Sequence, residues 1–338
     1  MPIDNVARPS RTAGATAILL LNLGTPTAPT PAAVRRYLAE FLSDPRVIDY
    51  PRWLWLPILH GVILRVRPRR SARAYAKIWT PQGSPLLVYT RALAKALGEA
   101  YARDGIEVAY AMRYGEPATA SVVAELCARG VRRLLVLPLY PQYSATSTAT
   151  ALDEVFAALR AERAVPEIRT IGDYHAAPAY IEALAVSVEE YRRAHGTAQH
   201  LLLSFHGIPE RYARNGDPYP AQCKETARLL GARLGLGESA MSFAFQSRVG
   251  REPWIQPYTD ERLVELAANG VRNVQVLCPG FAVDCLETLE EIAMQNAERF
   301  LAAGGERFDY IPALNAGAAH VRMLRTVADA QLRGWSPA

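Results

Sequence analysis

A histidine stands where an apolar run stops. Leu201-Leu202-Leu203-Ser204-Phe205-His206 reads as a buried strand, and Gly207 and Pro209 turn the chain away behind it. A second chemical group follows Cys278-Pro279-Gly280-Phe281, where Asp284, Glu287 and Glu291 occur. On a helix their i, i+3, i+7 spacing places three carboxylates on one face. A helix dipole favours an acid in the first turn, which accounts for Asp284 but not for a row two turns long. An imidazole and carboxylates on one cleft suit two jobs. They can hold a divalent metal such as Fe²⁺, or they can exchange protons near neutral pH. The spacing of a four-ligand structural zinc site is missing.

The first half of the chain offers different groups. Arg113 and Tyr114 end one apolar run, and Tyr140, Tyr143, Ser144, Thr146 and Ser147 follow another. Tyr75 lies upstream in Arg73-Ala74-Tyr75-Ala76-Lys77. Arginine pairs with carboxylates through two hydrogen bonds, and rings stack on rings. The set suits a flat apolar molecule bearing carboxylates.

These residues need strands that end at a common edge. The chain repeats itself accordingly. The run at Ala17 resembles that at His200, the run at Glu107 resembles that at Met241, and the run at Arg129 resembles that at Asn269. Short apolar runs that end at glycine or proline and alternate with helical stretches predict parallel sheets covered on both faces. The expected class is α/β, with two Rossmann-like domains from a duplicated unit. Residues 1–14 read as a disordered lead, 15–165 as the first domain and 166–310 as the second. An insertion at about 31–85 has no counterpart in the second half. It leaves the first strand at its carboxyl end, where open α/β sheets bind ligands, so it should form a lip over the cleft.

Composition sets limits. The chain has 338 residues, 50% hydrophobic and 21% charged, as in an ordinary folded protein. A net charge of +5 suits an anionic ligand or surface. No zinc-finger spacing, RNP-like motif or long basic run points to nucleic acid. Four scattered cysteines predict reduced thiols and a cytoplasmic protein. No apolar run is long enough to span a bilayer. Residues 53–64, rich in tryptophan and aliphatics and followed by Arg65, Arg67, Arg69, Arg70 and Arg73, read as a surface that docks on a membrane from its inner side. GxGxxG, P-loop and GxSxG patterns are all missing, which argues against a dehydrogenase, a P-loop enzyme and a serine hydrolase.

Taken in order, the stretches beginning at Leu19, Tyr75, Met112, Leu139, Leu202, Gln246 and Cys278 resemble the ferrochelatase family, and they run from about 15 to 315. The resemblance implies a chelatase-like fold with a porphyrin cleft between the halves, and a C-terminal helix, 311–338, that returns to the first domain. It implies a lyase that inserts Fe²⁺ into protoporphyrin IX with loss of two protons. His206 and Glu287 match the family's catalytic pair. Asp284 and Glu291 match the acidic face that handles metal alongside them. Leu23, Tyr75, Arg113, Tyr114 and Trp254 match porphyrin positions. Iron enters as substrate, with no permanent cofactor. Cys285 stands where some members carry a second histidine, and no cysteine follows it, so no iron–sulfur cluster is expected. A coproporphyrin substrate, another chelatase of the same fold, and a non-catalytic two-lobed binding protein are the alternatives.

Overall fold

A computed structural model describes residues 15–250 and 252–335; the expected lead at 1–14 lies outside them. Two four-stranded parallel sheets make up its centre. The first contains β1 (Thr16–Gly24), β2 (Glu107–Tyr114), β3 (Arg133–Pro138) and β4 (Glu167–Thr170), in the order β2-β1-β3-β4. The second contains β5 (His200–His206), β6 (Met241–Gln246), β7 (Asn273–Leu277) and β8 (Arg307–Ile311), in the matching order β6-β5-β7-β8. Identical strand orders in the two halves are what a duplicated unit produces.

Both faces of each sheet are covered, which is why the central strands β1, β3 and β5 carry long buried apolar runs. Successive residues point to opposite faces. Ile18 and Leu20 therefore enter one cluster and Ala17, Leu19 and Leu21 another. In the second sheet Leu201, Leu203 and Phe205 join the same large cluster as Ile18, while Leu202 packs on the far side. One shared core thus joins the two halves.

The expected boundary between 165 and 166 needs correction. β4 hydrogen-bonds to β3 through residues 167–170, so the first sheet extends beyond it. The short polar stretch at 167–170 carries too little apolar pattern to read as a strand. The C-terminal helix Ala318–Leu332 lies against the first half. Arg325 pairs with Asp104 at 2.7 Å, Asp329 accepts from Tyr101 at 2.6 Å, and Trp335 donates to Glu167 at 2.7 Å.

The lip consists of helices Pro31–Ser43, Arg52–Ile58 and Leu64–Ile78, with a π-helical turn at Leu59–Ile63. It has its own small core, centred on Val34, Leu38, Leu42, Leu59 and Leu64. Several contacts tie it to the second half, among them the Tyr212 hydroxyl, which donates to the Val47 carbonyl at 2.9 Å. Lys77 pairs with Glu290 at 2.6 Å. Arg211 pairs with Asp49 and Glu252 and lies over the rings of Tyr50 and Tyr212.

Candidate active site

β1 ends against the other strands so closely that only glycine fits. Gly24 has φ +105°, and a Cβ there would lie 1.7 Å from the Tyr114 carbonyl oxygen. β5 ends equally tightly: a Cβ on Gly207 would lie 2.9 Å from the Gln246 carbonyl oxygen and 3.1 Å from the Trp254 ring. These approaches bring Leu23 and His206 to the carboxyl edges of their sheets.

His206 is half-buried between two rings, with centroids 6.5 Å from Trp254 and 6.4 Å from Phe281. Its Nδ1 lies 2.6 Å from the Gly207 carbonyl oxygen. A carbonyl only accepts, so Nδ1 donates there, and Nε2 is the ring nitrogen left to meet a metal or exchange a proton.

The acids stand on an unusual helix. Glu287–Asn296 is π-helical, with i→i+5 hydrogen bonding, a form found often at functional sites. Its wider turn superimposes residues about four apart, so Glu287 and Glu291 share a side. Burial raises the Glu291 carboxyl above its ordinary range. Bonds from Ser247 and the nearby His206 oppose this, and the negative charge of Glu287 adds to it. His206, Glu287 and Glu291 are therefore electrostatic neighbours.

Asp284 is not on that side, and the expected row of three is corrected. It precedes the π-helix and is buried, with only 3% of its surface exposed. Its carboxylate accepts from Tyr310 Oη at 2.5 Å, Asn315 Nδ2 at 2.7 Å and Thr288 Oγ1 at 3.0 Å. Its own N–H donates to Asn315 Oδ1 at 2.8 Å. A carboxylate so engaged anchors backbone rather than holding a metal. Among the described residues, no three His, Cys, Asp or Glu side chains form a ready-made metal cage. Cys285 is buried beside Glu287, and burial first, then that charge, push its thiol well up.

The end of β1, the lip and the start of the π-helix line a small cleft at Leu23, Thr25, Tyr37, Tyr75, Leu286 and Glu287.

Tyr114 and Arg113, both expected at the porphyrin, have partners in the first half of the chain. Tyr114 is fully buried and donates to Asp44 at 2.8 Å. Arg113 bonds Thr150 at 2.7 Å, pairs with Asp44 at 2.5 Å and with Glu154 at 3.4 Å, and lies over the Tyr114 ring. Both hold the lip's Asp44 to β2. Burial raises the Asp44 carboxyl, but bonds from Thr150, the Arg46 backbone and Tyr114, with the Arg113 charge, lower it overall. A half-buried cation close to Glu287, Tyr37 and Tyr75 is Arg67. Burial lowers its pKa, opposed by Glu287, Tyr37 and Tyr75 nearby. Arg67 belongs to the arginine cluster visible in the sequence, but nothing there separates it from its exposed neighbours. Tyr37 carries no sequence signal at all.

Comparison with known proteins bears on the family of the chain. The Ferrochelatase family model matches residues 15–332. A ferrochelatase of Klebsiella pneumoniae is 54% identical, over 91% of this chain and 96% of its own. One of Aeromonas hydrophila is 53% identical with the same coverage. Among solved structures, SirB from Bacillus subtilis with Fe³⁺ superposes with a TM-score of 0.54 at 13% identity, over 95% of this chain and 99% of its own. That likeness supports the two-sheet fold alone. With a family match along nearly its whole described length and relatives identical at more than half their positions, the chain belongs to the ferrochelatase family.

Proposed function

We propose that the chain is a lyase that inserts ferrous iron into protoporphyrin IX, giving protohaem and two protons. One observation carries this reading: Glu287 lines a cleft beneath the lip with Leu23, Tyr37 and Tyr75, and the Glu291 carboxylate feels the charges of both Glu287 and His206. Flat porphyrins take metals slowly because the ring must buckle and lose two N–H protons. A cleft that clamps the ring bent spends binding energy on a transition-state-like shape.

The roles follow from position. Leu23 and Tyr75 bear on the macrocycle, with Trp254 beside His206. Arg67, rather than Arg113, pairs with a propionate. His206 accepts a pyrrole proton or presents the ion through Nε2. Glu287 relays the proton or shares the ion, and Glu291 lowers the cost of bringing a dication out of water. Iron is substrate here, not a resident group.

A peripheral membrane contact belongs to the same reading. Trp53, Leu54, Ile58, Val62 and Val66 are exposed on the lip, and Arg65, Arg69, Arg70 and Arg73 are exposed beside them. Such a surface suits an anionic bilayer on the cytoplasmic side, which would supply an apolar substrate. Among the described residues, no helix is long and apolar enough to cross a membrane.

The test is optical. Protoporphyrin IX and coproporphyrin III are each mixed with Fe²⁺ under anaerobic conditions, or with Zn²⁺. Collapse of the free-base bands faster on protoporphyrin IX is the expected result. Faster turnover of coproporphyrin III reassigns the substrate, and spectral shift without turnover means a binding protein.

A further inference from the structure

β6 ends at Gln246, which pairs with His206 across the sheet. The Gln246 side chain is buried. Its amide nitrogen donates to the Glu287 carbonyl at 3.0 Å, and its amide oxygen accepts from Ser204 Oγ at 2.7 Å. The next residue leaves the strand abruptly. Ser247 has φ +68°, a left-handed backbone that residues other than glycine rarely hold. That turn aims its backbone N–H at one oxygen of Glu291, 2.7 Å away, while its hydroxyl donates to the other. Two donors on two oxygens fix both the position and the roll of the carboxylate.

We infer that Gln246 and Ser247 form a two-point clamp, positioning residues that set where Glu287 and Glu291 stand relative to His206. The inference rests on the reading of those three groups as the metal- and proton-handling set. A π-helix is a poor structure by itself and needs support from outside. The clamp supplies it from the strand that hydrogen-bonds to the histidine's own strand, so the two halves of the machinery share one register. Backbone strain of this kind persists where the surroundings over-determine it, and it concentrates at functional sites. Glycine would relieve the strain at Ser247 but would bring no hydroxyl to Glu291.

Five proteins test the clamp: wild type, Ser247→Ala, Ser247→Gly, Glu291→Gln, and the double variant Ser247→Ala/Glu291→Gln. Ser247→Gly keeps the left-handed turn and the N–H and removes only the hydroxyl; Ser247→Ala also keeps the strain. With Zn²⁺ varied, both single serine variants should lose about tenfold in kcat/KM for the ion, the worth of one charge-assisted hydrogen bond. The porphyrin KM should not move. In the Glu291→Gln background the serine change should matter less than about twofold, because its partner is gone. Wild-type kinetics in Ser247→Gly, or serine and glutamate effects that simply multiply, would overturn the clamp. If the wild type fails to metallate at all, the functional reading fails instead. The same double-mutant cycle read by thermal unfolding then decides the clamp: coupling between Ser247 and Glu291 supports it, and additivity overturns it.

Discussion

The amide of Gln246 donates a hydrogen bond to the Glu287 carbonyl at 3.0 Å, from the strand position that pairs with His206. The histidine ends a strand and the acid opens a π-helix 81 positions later, yet one side chain joins their supports. Chemistry at this site depends on that spacing being held, and the predictions below probe what holds it and what it acts on.

Arg67 and Arg113 should separate cleanly. Arg67→Ala removes the half-buried cation close to Glu287, Tyr37 and Tyr75 and should raise the porphyrin KM by about 10- to 100-fold, as loss of a charge-assisted bond to a carboxylate implies. Tyr114→Phe removes a buried bond to Asp44 and should destabilise the fold by about 1–3 kcal/mol with an unchanged KM. Steady-state kinetics and denaturant unfolding on both variants check this. A porphyrin KM that responds to Tyr114→Phe but not to Arg67→Ala reverses the assignment.

Asp44 makes the link to β2 sensitive to acid. Its folded pKa is lowered from the ordinary 3.8, so its stabilising contribution is complete above about that pH. The contribution fades as pH falls from there through the lower folded value. The stability gap between wild type and Asp44→Asn should therefore be constant from pH 7 to 5 and shrink below pH 4. Urea unfolding at each pH measures the gap; a gap that widens in acid contradicts the ion-pair account.

Asp284 anchors rather than ligates. Asp284→Asn should lower kcat and stability while leaving the metal KM within about twofold, because no contact with the ion is lost. Tyr310→Phe, which removes one of its donors far from the gap, should show a weaker effect in the same direction. A metal KM that rises steeply in Asp284→Asn alone would restore it to the metal set.

The lip's exposed face should bind lipid. The chain should co-sediment with anionic vesicles and much less with neutral ones. Trp53→Ala with Val62→Asp should release it while leaving turnover of detergent-dispersed porphyrin intact. Equal sedimentation of wild type and variant would remove the membrane from the account.

Much of the fold is legible in the amino-acid sequence alone. Apolar runs such as Ile18–Leu21 and Leu201–Leu203 announce strands buried on both faces, and a histidine ending one of them announces an edge. The motifs at Met112 and Cys278 locate Arg113 and Asp284 but do not tell a buried anchor from a working group. Burial depends on partners distant in sequence: Asp44 for Arg113 and Tyr114, and Asn315 and Tyr310 for Asp284. A helical wheel also assumes the α-period, and the π-helix from Glu287 departs from it. Arg67 and Ser247 stay hidden for the same reason. One is distinguished from its neighbouring arginines by its partial burial, the other by a backbone angle, and neither property is written in local composition.

The central claim is that His206 works on the ring centre with Glu287 beside it. His206→Ala should retain protoporphyrin binding, read by fluorescence quenching, while its metallation rate falls by about 10²- to 10⁴-fold, the usual worth of a positioned acid–base group. A His206→Ala protein that metallates protoporphyrin IX at the wild-type rate would contradict the account.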